Sequence, residues 1–351
     1  MPLLKQLKAR VMRVCRAMTI LLFVSVSDGG LAQQQSLQPY QVAHGWPQLP
    51  DGRILGQATG VDLDSKGNVF VFHRARRFWS ADPALALISD PTIEVFEGVS
   101  GKHLRSWGAN LFVMPHGLTI DSQDNVWVTD VRLHQVFKFS PDGMLLLTLG
   151  EARVAGVDRA HFDQPTDVAI LSDGSFYVSD GYGNARVVKF NAAGQYQFEW
   201  GRKGTGPGEF DLPHAVDVDS RGNVYVADRT NGRIQIFDGS GRFLAQWRSA
   251  ELGRPFSIAV SGNRAVVVDG GDQSVCSVDP SRATSSECGR LDRSGAVEVD
   301  LNGRVVTRFG SFGNYDGQFL VAHDVATAAD GSIFVVDVGG RRVQRFMRRK
   351  N

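Results

Sequence analysis

The chain has 351 residues, a formal net charge of +1 at pH 7, 42% hydrophobic residues and 39 glycines. Its length suits one large all-β domain or two smaller domains, and the many glycines fit numerous tight turns between β-strands. The near-zero net charge produces no strong field that would favour nucleic acid or an anionic membrane surface.

Residues 1–32 have the features of a secretory signal peptide and are not expected to belong to the fold. Five basic residues precede a short apolar run at 18–26, and small residues ahead of Gln33 form a cleavage site. The apolar run is too short and wrongly flanked to be a membrane anchor. We therefore expect a secreted or periplasmic protein whose mature part, residues 33–351, is a single domain.

The mature part contains six copies of one hairpin pattern. In most copies an Asp/Ser/Gly/Asn turn joins two strands rich in apolar and β-branched residues, a combination that predicts a β-hairpin. The copies are, in chain order, GVDLDSKGNVFVFH (60–73), GLTIDSQDNVWVTD (117–130), DVAILSDGSFYVSD (167–180), AVDVDSRGNVYVAD (215–228), SIAVSGNRAVVVDG (257–270) and DVATAADGSIFVVD (324–337).

Two further strands complete each repeat. A third strand follows the hairpin, as in QVFKF (135–139) and RVVKF (186–190), and a fourth ends in glycine, as in QFEWG (197–201). Four antiparallel strands that recur about every 40–65 residues predict a six-bladed β-propeller, an all-β fold. The last copy stops after its third strand at Phe346, so the segment around Trp46 is expected to supply the missing strand and close the ring.

The fifth copy is the least regular, with an insertion around residues 279–297. Cys276 precedes this insertion and Cys288 lies within it, and they are the two cysteines of the mature chain. An oxidising compartment would permit a disulfide between them, and two unpaired buried thiols are the alternative. The sequence leaves both states open.

Three of the six copies place a histidine at the start of their first strand. The residues at this point are, in ring order, Thr59, His116, Thr166, His214, Phe256 and His323. Because histidine occurs in every second blade, the three imidazoles are expected about 120° apart and facing the propeller axis. A single histidine at such a turn would more often be bonded to the backbone. Three neutral imidazoles with a vacant fourth position are the usual ligand set of catalytic zinc, so the pattern predicts a metal site.

Three residues near these histidines are candidates for further chemistry. Asp324 directly follows His323 on the opposite side of the strand, where its carboxylate and neighbouring carbonyl oxygens would suit calcium. Arg74 lies on the loop after the second strand of blade 1, at the same channel mouth, and a guanidinium group matches a substrate carboxylate. Tyr182 lies on the corresponding loop of blade 3, where a phenol beside a divalent cation can act as a base. The histidines outside the ring pattern are expected to be solvated: His44, His103 and His134.

These residues lie in motifs that resemble those of the peptidylglycine α-amidating lyase family, a family of six-bladed propellers, and the repeat itself resembles the NHL type. The motifs GVDLDSKGNVFVFHR, PHGLTID, DGYGNARVVKF, LPHAV and AHDVA occur in the family's order and spacing over roughly residues 40–346. The residue roles that the resemblance implies are zinc ligation by His116, His214 and His323, carboxylate binding by Arg74, proton transfer by Tyr182, and ligation of a structural calcium ion by Asp324 and by the main-chain carbonyls of Val61 and Leu118.

The resemblance implies cleavage of a peptidyl-α-hydroxyglycine, or a related α-hydroxyamide, into an amide and glyoxylate. Zinc would acidify the substrate hydroxyl, Tyr182 would take its proton and Arg74 would hold the carboxylate. The expected partner is a peptide or small molecule ending in α-hydroxyglycine, and neither nucleic acid nor a membrane is expected. Two departures concern the pocket more than the chemistry: Val321 replaces a methionine of the family and Gly183 replaces a cysteine.

Two other functional classes fit parts of the sequence. One is a non-catalytic secreted NHL propeller that binds a protein or glycan partner and holds metal only for structure. The presence of Arg74 and Tyr182 together with the histidines argues against it. The other is a lactonase-type hydrolase that uses calcium. Such an enzyme would be expected to present several Asp, Asn and Glu side chains in its channel rather than three histidines.

Overall fold

Six four-stranded antiparallel sheets form the blades of a propeller. The computed structural model describes residues 39–82, 84–271 and 293–349. The innermost strands of successive blades contact one another around the whole ring, from blade 6 back to blade 1. The prediction of a six-bladed β-propeller is therefore confirmed. The predicted signal peptide and the pair Cys276 and Cys288 lie outside the described residues.

The strands are numbered in chain order, and each blade is given from the centre outward. Blade 1 contains β2 (Ala58–Leu63), β3 (Asn68–His73), β4 (Ile93–Glu97) and β5 (His103–Trp107). Blade 2 contains β6 (Pro115–Ile120), β7 (Val126–Asp130), β8 (Gln135–Phe139) and β9 (Leu145–Leu149). Blade 3 contains β10 (Pro165–Ile170), β11 (Phe176–Asp180), β12 (Arg186–Phe190) and β13 (Tyr196–Trp200).

Blade 4 contains β14 (Pro213–Val218), β15 (Val224–Asp228), β16 (Arg233–Phe237) and β17 (Phe243–Trp247). Blade 5 contains β18 (Pro255–Ser261), β19 (Arg264–Asp269), β20 (Gly295–Asp300) and β21 (Val305–Phe309). A short parallel pair, β22 (Ser311–Phe312) and β23 (Gln318–Phe319), leads to blade 6, which contains β24 (Ala322–Thr327), β25 (Ile333–Asp337), β26 (Arg342–Arg348) and β1 (Tyr40–Val42). Within the described ranges, no helix is long and apolar enough to cross a membrane.

The ring is closed by a strand that precedes blade 1 in the chain. β1 pairs antiparallel with β26 and so becomes the outermost strand of blade 6. This is the predicted closure, but the strand ends before Trp46. The indole of Trp46 packs instead against Phe96 of blade 1 and Phe334 of blade 6, at centroid distances of 6.1 and 5.0 Å. The segment therefore joins the first and last blades through both the backbone and the core.

Aspartate side chains shape the turns between the two inner strands of the blades. In blade 1, Asp64 Oδ1 accepts the backbone N–H groups of Lys66 and Asn68 at 3.0 and 2.8 Å. Gly67 completes the turn with φ of 79°, a conformation that favours glycine. Asp219 makes the same bonds in blade 4. The turn residues that predicted the hairpins therefore form them directly.

The hydrophobic core lies between blades rather than along the axis. Each cluster of buried side chains joins two neighbouring blades. Trp127 of blade 2, for example, packs on Phe176 of blade 3 at a centroid distance of 4.5 Å, and Trp107 of blade 1 contacts Phe139 of blade 2 at 5.2 Å. Because apolar burial is distributed over these interfaces, the axis is free for polar side chains that contribute little to stability.

Blade 1 ends its second strand in His73, where the other five blades have aspartate, and a buried carboxylate lies beside this histidine. His73 Nδ1 accepts the backbone N–H groups of Gly56 and Ala75 at 3.3 and 3.0 Å. The ring proton therefore resides on Nε2, which faces Glu94 Oε1 at 3.8 Å. Glu94 also contacts His103 Nε2 at 2.7 Å. Glu94 therefore hydrogen-bonds His103 and lies at ion-pair distance from His73, whose Nε2 has no hydrogen-bond partner among the described residues.

The expectation that the remaining histidines are solvated is wrong for two of the three. The His103 side chain is only 16% exposed because it is bonded to Glu94. The His134 side chain is 12% exposed, and its Nδ1 accepts the N–H of Gln164 at 3.1 Å. His44 is solvated as expected, at 78% exposure. A specific hydrogen-bond partner makes the burial of a polar ring tolerable, and sequence spacing does not reveal such partners.

Replacing Glu94 with glutamine is expected to destabilise the fold by about 1–2 kcal/mol at pH 7, after allowance for partial solvent screening. Burial alone would raise the pKa of Glu94, but its contacts with His73, Ser106 and His103 outweigh burial and lower the pKa from 4.5 to about 2. A carboxyl with a depressed folded-state pKa stabilises the fold above its unfolded pKa. That contribution is lost as the pH falls from about 4.5 towards about 2.

Urea denaturation at pH 7 and pH 3 checks this expectation. The stability difference between wild type and Glu94→Gln should shrink at the lower pH. The exposed carboxylate of Glu151, replaced in the same way, serves as the control and should change stability little at either pH. An unchanged difference for Glu94→Gln between the two pH values would contradict the assignment.

Candidate active site

A β-bulge begins the innermost strand of every blade, and in blades 2, 4 and 6 the bulged residue is a histidine. In blade 6 the register shifts between Ala322 and Asp324, so His323 has no partner across the hairpin. The same shift occurs at His116 and His214. A bulge redirects a side chain out of the regular alternation. It brings both His323 and Asp324 to the channel, whereas regular alternation would separate them.

The three histidines converge on one point of the axis. One ring nitrogen from each lies within 4.8 Å of the others. The imidazole centroids are 4.8–4.9 Å apart, and the residues are 1–5% exposed. The alternation of blades seen in the sequence thus produces one three-fold cluster in the described part of the chain.

Each histidine is oriented by the blade that follows it. Every Nδ1 atom bonds the carbonyl oxygen of the equivalent, non-histidine residue in the next blade. The pairs are His116 with Thr166 at 2.8 Å, His214 with Phe256 at 2.6 Å and His323 with Thr59 at 2.8 Å. Gly117 permits the first of these contacts, because a Cβ atom there would lie 2.5 Å from Thr166 O. The non-histidine blades therefore anchor the rings.

The surroundings keep all three imidazoles neutral. Burial, followed by the nearby His323 and Arg74, lowers the pKa of His116 well below its usual range. Burial and the two other histidines have the same effect on His214. Burial and then Arg74 lower the pKa of His323 to about 3. With Nδ1 donating its proton to a carbonyl, each Nε2 keeps its lone pair.

This donor set fits zinc. Three neutral imidazoles offer Nε2 lone pairs to one point, and each ring is fixed by a hydrogen bond from its other nitrogen, the usual arrangement around protein-bound zinc. The residues that would hold the ion are the three predicted from the sequence.

Tyr182 lies directly beside this cluster. It lies on the loop between β11 and β12, and its Oη is 3.1 Å from both His116 Nε2 and His214 Nε2. Its ring contacts Trp79 at a centroid distance of 5.1 Å. The structure therefore brings the phenol from blade 3 to the point where the histidines from blades 2 and 4 meet.

Arg74 lies at the same mouth but is more enclosed than a solvent-facing loop residue. It is 2% exposed, its Nε donates to Pro115 O at 3.1 Å, and its Nη1 donates to Gln57 Oε1 at 2.9 Å. Burial lowers the pKa of Arg74 to about 10, so the group stays cationic at neutral pH. Two of the three guanidinium nitrogens are thus hydrogen-bonded, and the third, Nη2, has no hydrogen-bond partner among the described residues.

Three residues at this mouth were not identified from the sequence. Arg229 is buried, its Cζ lies 4.1 Å from the Phe256 ring, and its Nη1 donates to Tyr182 Oη at 3.4 Å. Trp79 packs on Tyr182, and the guanidinium groups of Arg74 and Arg132 both lie over its indole ring. A signal was present: Arg229 directly follows a strand-ending aspartate, as Arg74 follows His73 in blade 1.

The residues predicted to hold calcium line a second part of the channel. Val61, Leu118 and Asp324 all border a cavity of about 410 Å³ below the histidines. Asp324 accepts the Val61 N–H at 2.9 Å through Oδ2 and the Ser257 hydroxyl at 2.6 Å through Oδ1. The structure therefore brings the three predicted residues to one place.

Four further carboxylates border this cavity and were missed: Asp121, in the turn after β6, and three on innermost strands. The latter are Asp62, Asp167 and Asp217. Each accepts a backbone N–H from the next blade along the channel, as Asp324 does. Aspartate at the third or fifth position of an innermost strand, where apolar residues are common, was the available signal.

Five carboxylates in one cavity suit a hard cation, and four of them lie on the innermost strands. Burial raises the pKa of Asp62 to about 6 and the pKa values of Asp217 and Asp324 to about 7. Burial and then Asp324 raise the pKa of Asp167 well above its usual range. A cation bound by oxygen ligands would offset this cost, which fits calcium.

The carboxylates also correct one step of the sequence argument. A calcium-dependent hydrolase was disfavoured because few acidic side chains were expected in the channel, whereas five border its lower cavity. The histidine cluster with Tyr182 and Arg74 occupies the other half of the channel, so both sets of residues are present.

Comparison with known proteins agrees with the repeat structure. The family model described as NHL repeat matches residues 112–139, 162–190 and 210–237. Among solved structures, a streptogramin B lyase covers 88% of this chain and 97% of its own length, with a TM-score of 0.55 and 11% sequence identity. At that identity the likeness shows the fold alone.

Curated relatives share much more sequence. Peptidyl-alpha-hydroxyglycine alpha-amidating lyase 1 of Drosophila melanogaster is 36% identical over 91% of this chain and 61% of the relative. Lyase 2 of the same organism is 33% identical over 76% of this chain and 71% of the relative. Peptidyl-glycine alpha-amidating monooxygenase A of Xenopus laevis is 37% identical over 83% of this chain, which spans only 32% of that protein. The chain belongs to the peptidyl-α-hydroxyglycine α-amidating lyase family.

Proposed function

We propose that this protein is a zinc-dependent lyase that cleaves a peptidyl-α-hydroxyglycine, or a related α-hydroxyamide, into an amide and glyoxylate. The observation that carries the proposal is the position of Tyr182 Oη, 3.1 Å from the Nε2 atoms of two of three converging neutral histidines. Relatives named as lyases for such substrates support the same chemistry.

Two residues from different blades would hold the α-hydroxyglycine group. Arg74 is cationic, buried and fixed by Gln57 and Pro115, so it can bind the carboxylate without losing much side-chain freedom. Tyr182 would face the hydroxyl group. Because Arg74 comes from blade 1 and Tyr182 from blade 3, the carboxylate and the hydroxyl are held from two sides of the channel.

Zinc bound by His116, His214 and His323 would act as a Lewis acid that makes a hydroxyl proton easier to remove. Tyr182 would begin the cycle as a phenolate and accept that proton at Oη, and the oxygen electron pair would form the C=O bond of glyoxylate as the C–N bond breaks. The amide nitrogen leaves with the bonding electrons and receives the proton back from Tyr182. Atoms and charge balance without any other reactant.

Arg229 would assist the proton transfer. Its guanidinium donates to Tyr182 Oη at 3.4 Å, so it stabilises negative charge on the phenolic oxygen while Tyr182 lacks its proton. The neutral state of the histidines contributes too, because protonated imidazoles would not bind zinc.

Two further assignments belong to the proposal. Calcium would be held by Asp324 and the main-chain carbonyls of Val61 and Leu118 and would stabilise the lower half of the channel. The basic and apolar pattern of residues 1–32 would direct the chain to a secreted or periplasmic location.

Release of glyoxylate from an α-hydroxyglycine-terminated peptide tests the proposal. The purified protein should release one glyoxylate for each peptide amide formed, and removal of zinc by a chelator should stop the reaction until zinc is added back. An analogue whose carboxylate is converted to an amide should react poorly, because Arg74 has no anion to bind.

Arg74→Lys is the matched variant for this assay. Lysine keeps the positive charge but cannot make the two parallel hydrogen bonds of a guanidinium group. Turnover of the carboxylate substrate should therefore fall, while turnover of the uncharged analogue should change little. The absence of glyoxylate from the zinc-loaded protein with several such peptides would overturn the lyase proposal and favour a non-catalytic binding propeller.

A further inference from the structure

Arg132 is a cation at the channel mouth that the proposed reaction does not use. It lies on the loop between β7 and β8, two residues after Asp130, as Tyr182 lies two residues after Asp180. The side chain is half-buried. Its Nε donates to Ser80 O at 2.9 Å, a bond that ties it to the loop between β3 and β4.

The rest of this guanidinium group is without a partner in the described residues. Neither Nη atom of Arg132 donates a hydrogen bond, and no described carboxylate forms an ion pair with it within 4.0 Å. The nearby carboxylate of Asp130 is already occupied by four backbone N–H groups, including the N–H of Arg132 itself. Asp163 and Asp130 attract the cation through space, but among the described residues no carboxylate is paired with it.

Trp79 brings this cation next to the one that binds the substrate. The Cζ atoms of Arg74 and Arg132 lie 5.0 and 5.6 Å from the centroid of the same indole ring. The Trp79 backbone N–H donates to Gln57 Oε1 at 2.9 Å, and the same oxygen accepts a bond from Arg74. Two cations thus share one aromatic ring with no carboxylate paired to either. Charges removed from water are normally paired, so this arrangement calls for anions.

We propose that Arg132 and Trp79 form a second anion subsite, so that the enzyme prefers substrates with an acidic side chain on the residue before the α-hydroxyglycine. The inference rests on the proposed function, which gives the α-hydroxyglycine carboxylate to Arg74. Carboxylates on neighbouring residues of an extended peptide lie within roughly 7 Å of each other. The guanidinium groups of Arg74 and Arg132, which lie over the same indole ring, could each bind one carboxylate of such a pair.

Peptides that differ only in glutamate or glutamine before the α-hydroxyglycine provide the test. Wild type should cleave the glutamate peptide with roughly tenfold higher kcat/KM, the worth of a charge-assisted contact at a half-buried site. This preference should weaken as salt is added, because the pair is partly screened. In Arg132→Gln the ratio of the two kcat/KM values should fall to about one, and Arg132→Lys should retain part of it.

Arg341→Gln is the matched control. Arg341 is an exposed arginine on the corresponding loop of blade 6 and lies over Phe78, at 5.6 Å from the ring centroid, rather than over Trp79. Its replacement removes the same charge from the same mouth and should leave the preference intact. An equal loss of preference in Arg341→Gln would mean that general charge at the mouth, not the subsite, produces it, and would overturn the proposal.

A binding measurement separates this inference from the proposed reaction. Calorimetric titration of zinc-loaded protein with peptides ending in Glu-Gly and Gln-Gly requires no turnover. Tighter binding of the Glu-Gly peptide by wild type, lost in Arg132→Gln, supports the subsite even if no substrate releases glyoxylate. Equal affinity for both peptides in wild type, or an unchanged ratio in Arg132→Gln, overturns it.

Discussion

Replacement of Tyr182 by phenylalanine is expected to lower kcat by roughly 10²–10⁴-fold, the usual worth of a positioned proton acceptor. The ring would remain beside Trp79, and the histidines would keep their carbonyl partners, so only the phenolic oxygen is lost. Zinc content should therefore remain at about one ion per chain. KM should change little, because Arg74 still binds the carboxylate.

Steady-state glyoxylate release and metal analysis of the same preparation check this result. Tyr315→Phe is the control: Tyr315 is 81% exposed and should tolerate the change with unaltered kcat. A Tyr182→Phe variant with wild-type kcat would show that the proton is taken by another group. A variant that loses zinc would assign Tyr182 a role in metal binding instead.

Replacement of any one of His116, His214 and His323 by alanine is expected to remove zinc and to lower activity by at least about 10²-fold. Each change removes one of three converging donors and leaves a buried carbonyl oxygen with one bond fewer, a cost of about 1–3 kcal/mol. The fold should survive, because the hydrophobic clusters lie between blades and not on the axis.

Metal analysis, thermal unfolding and glyoxylate release on the three variants check this expectation. His44→Ala changes an exposed histidine and should leave all three readouts unaltered. Full zinc content in the triple variant would exclude the site. Complete loss of folding in each single variant would show that the histidines are structural rather than metal ligands.

Much of the fold could be predicted because each local signal agreed with the others. The Asp and Gly residues of the turns, the alternation of the strands and the missing outer strand all indicated a closed six-bladed ring. The position of the histidines could be predicted for the same reason, since a repeat converts spacing along the chain into angle around an axis. The equivalent positions of His116, His214 and His323 in the repeat were enough to predict that their side chains converge on the axis.

The partners of these residues could not be predicted, because each one comes from another blade. Nothing in the sequence around His214 indicates that its Nδ1 atom bonds Phe256 O, 42 residues away. Arg132 and Arg74 meet on Trp79 only because the loop between β3 and β4 crosses towards blade 2. The low exposure of His103 follows from contacts of its ring with Glu94, Ser106 and Phe96. Repeats predict positions within a blade, whereas the chemistry of this site lies between blades.

The pairing of β1 with β26 has a consequence for how the chain folds. Blade 6 takes strands from both ends of the described chain, so its outer edge is completed only after residues 342–348 have been synthesised. Until then β1 has no partner, and the innermost strand of blade 1 lacks its contacts with β24. Contacts between such distant segments carry the largest loop-closure cost and form late. A chain that has not yet reached β26 would therefore hold an open arc of blades, and only after this strand has been made can the ring close and bring His323 to the other two histidines.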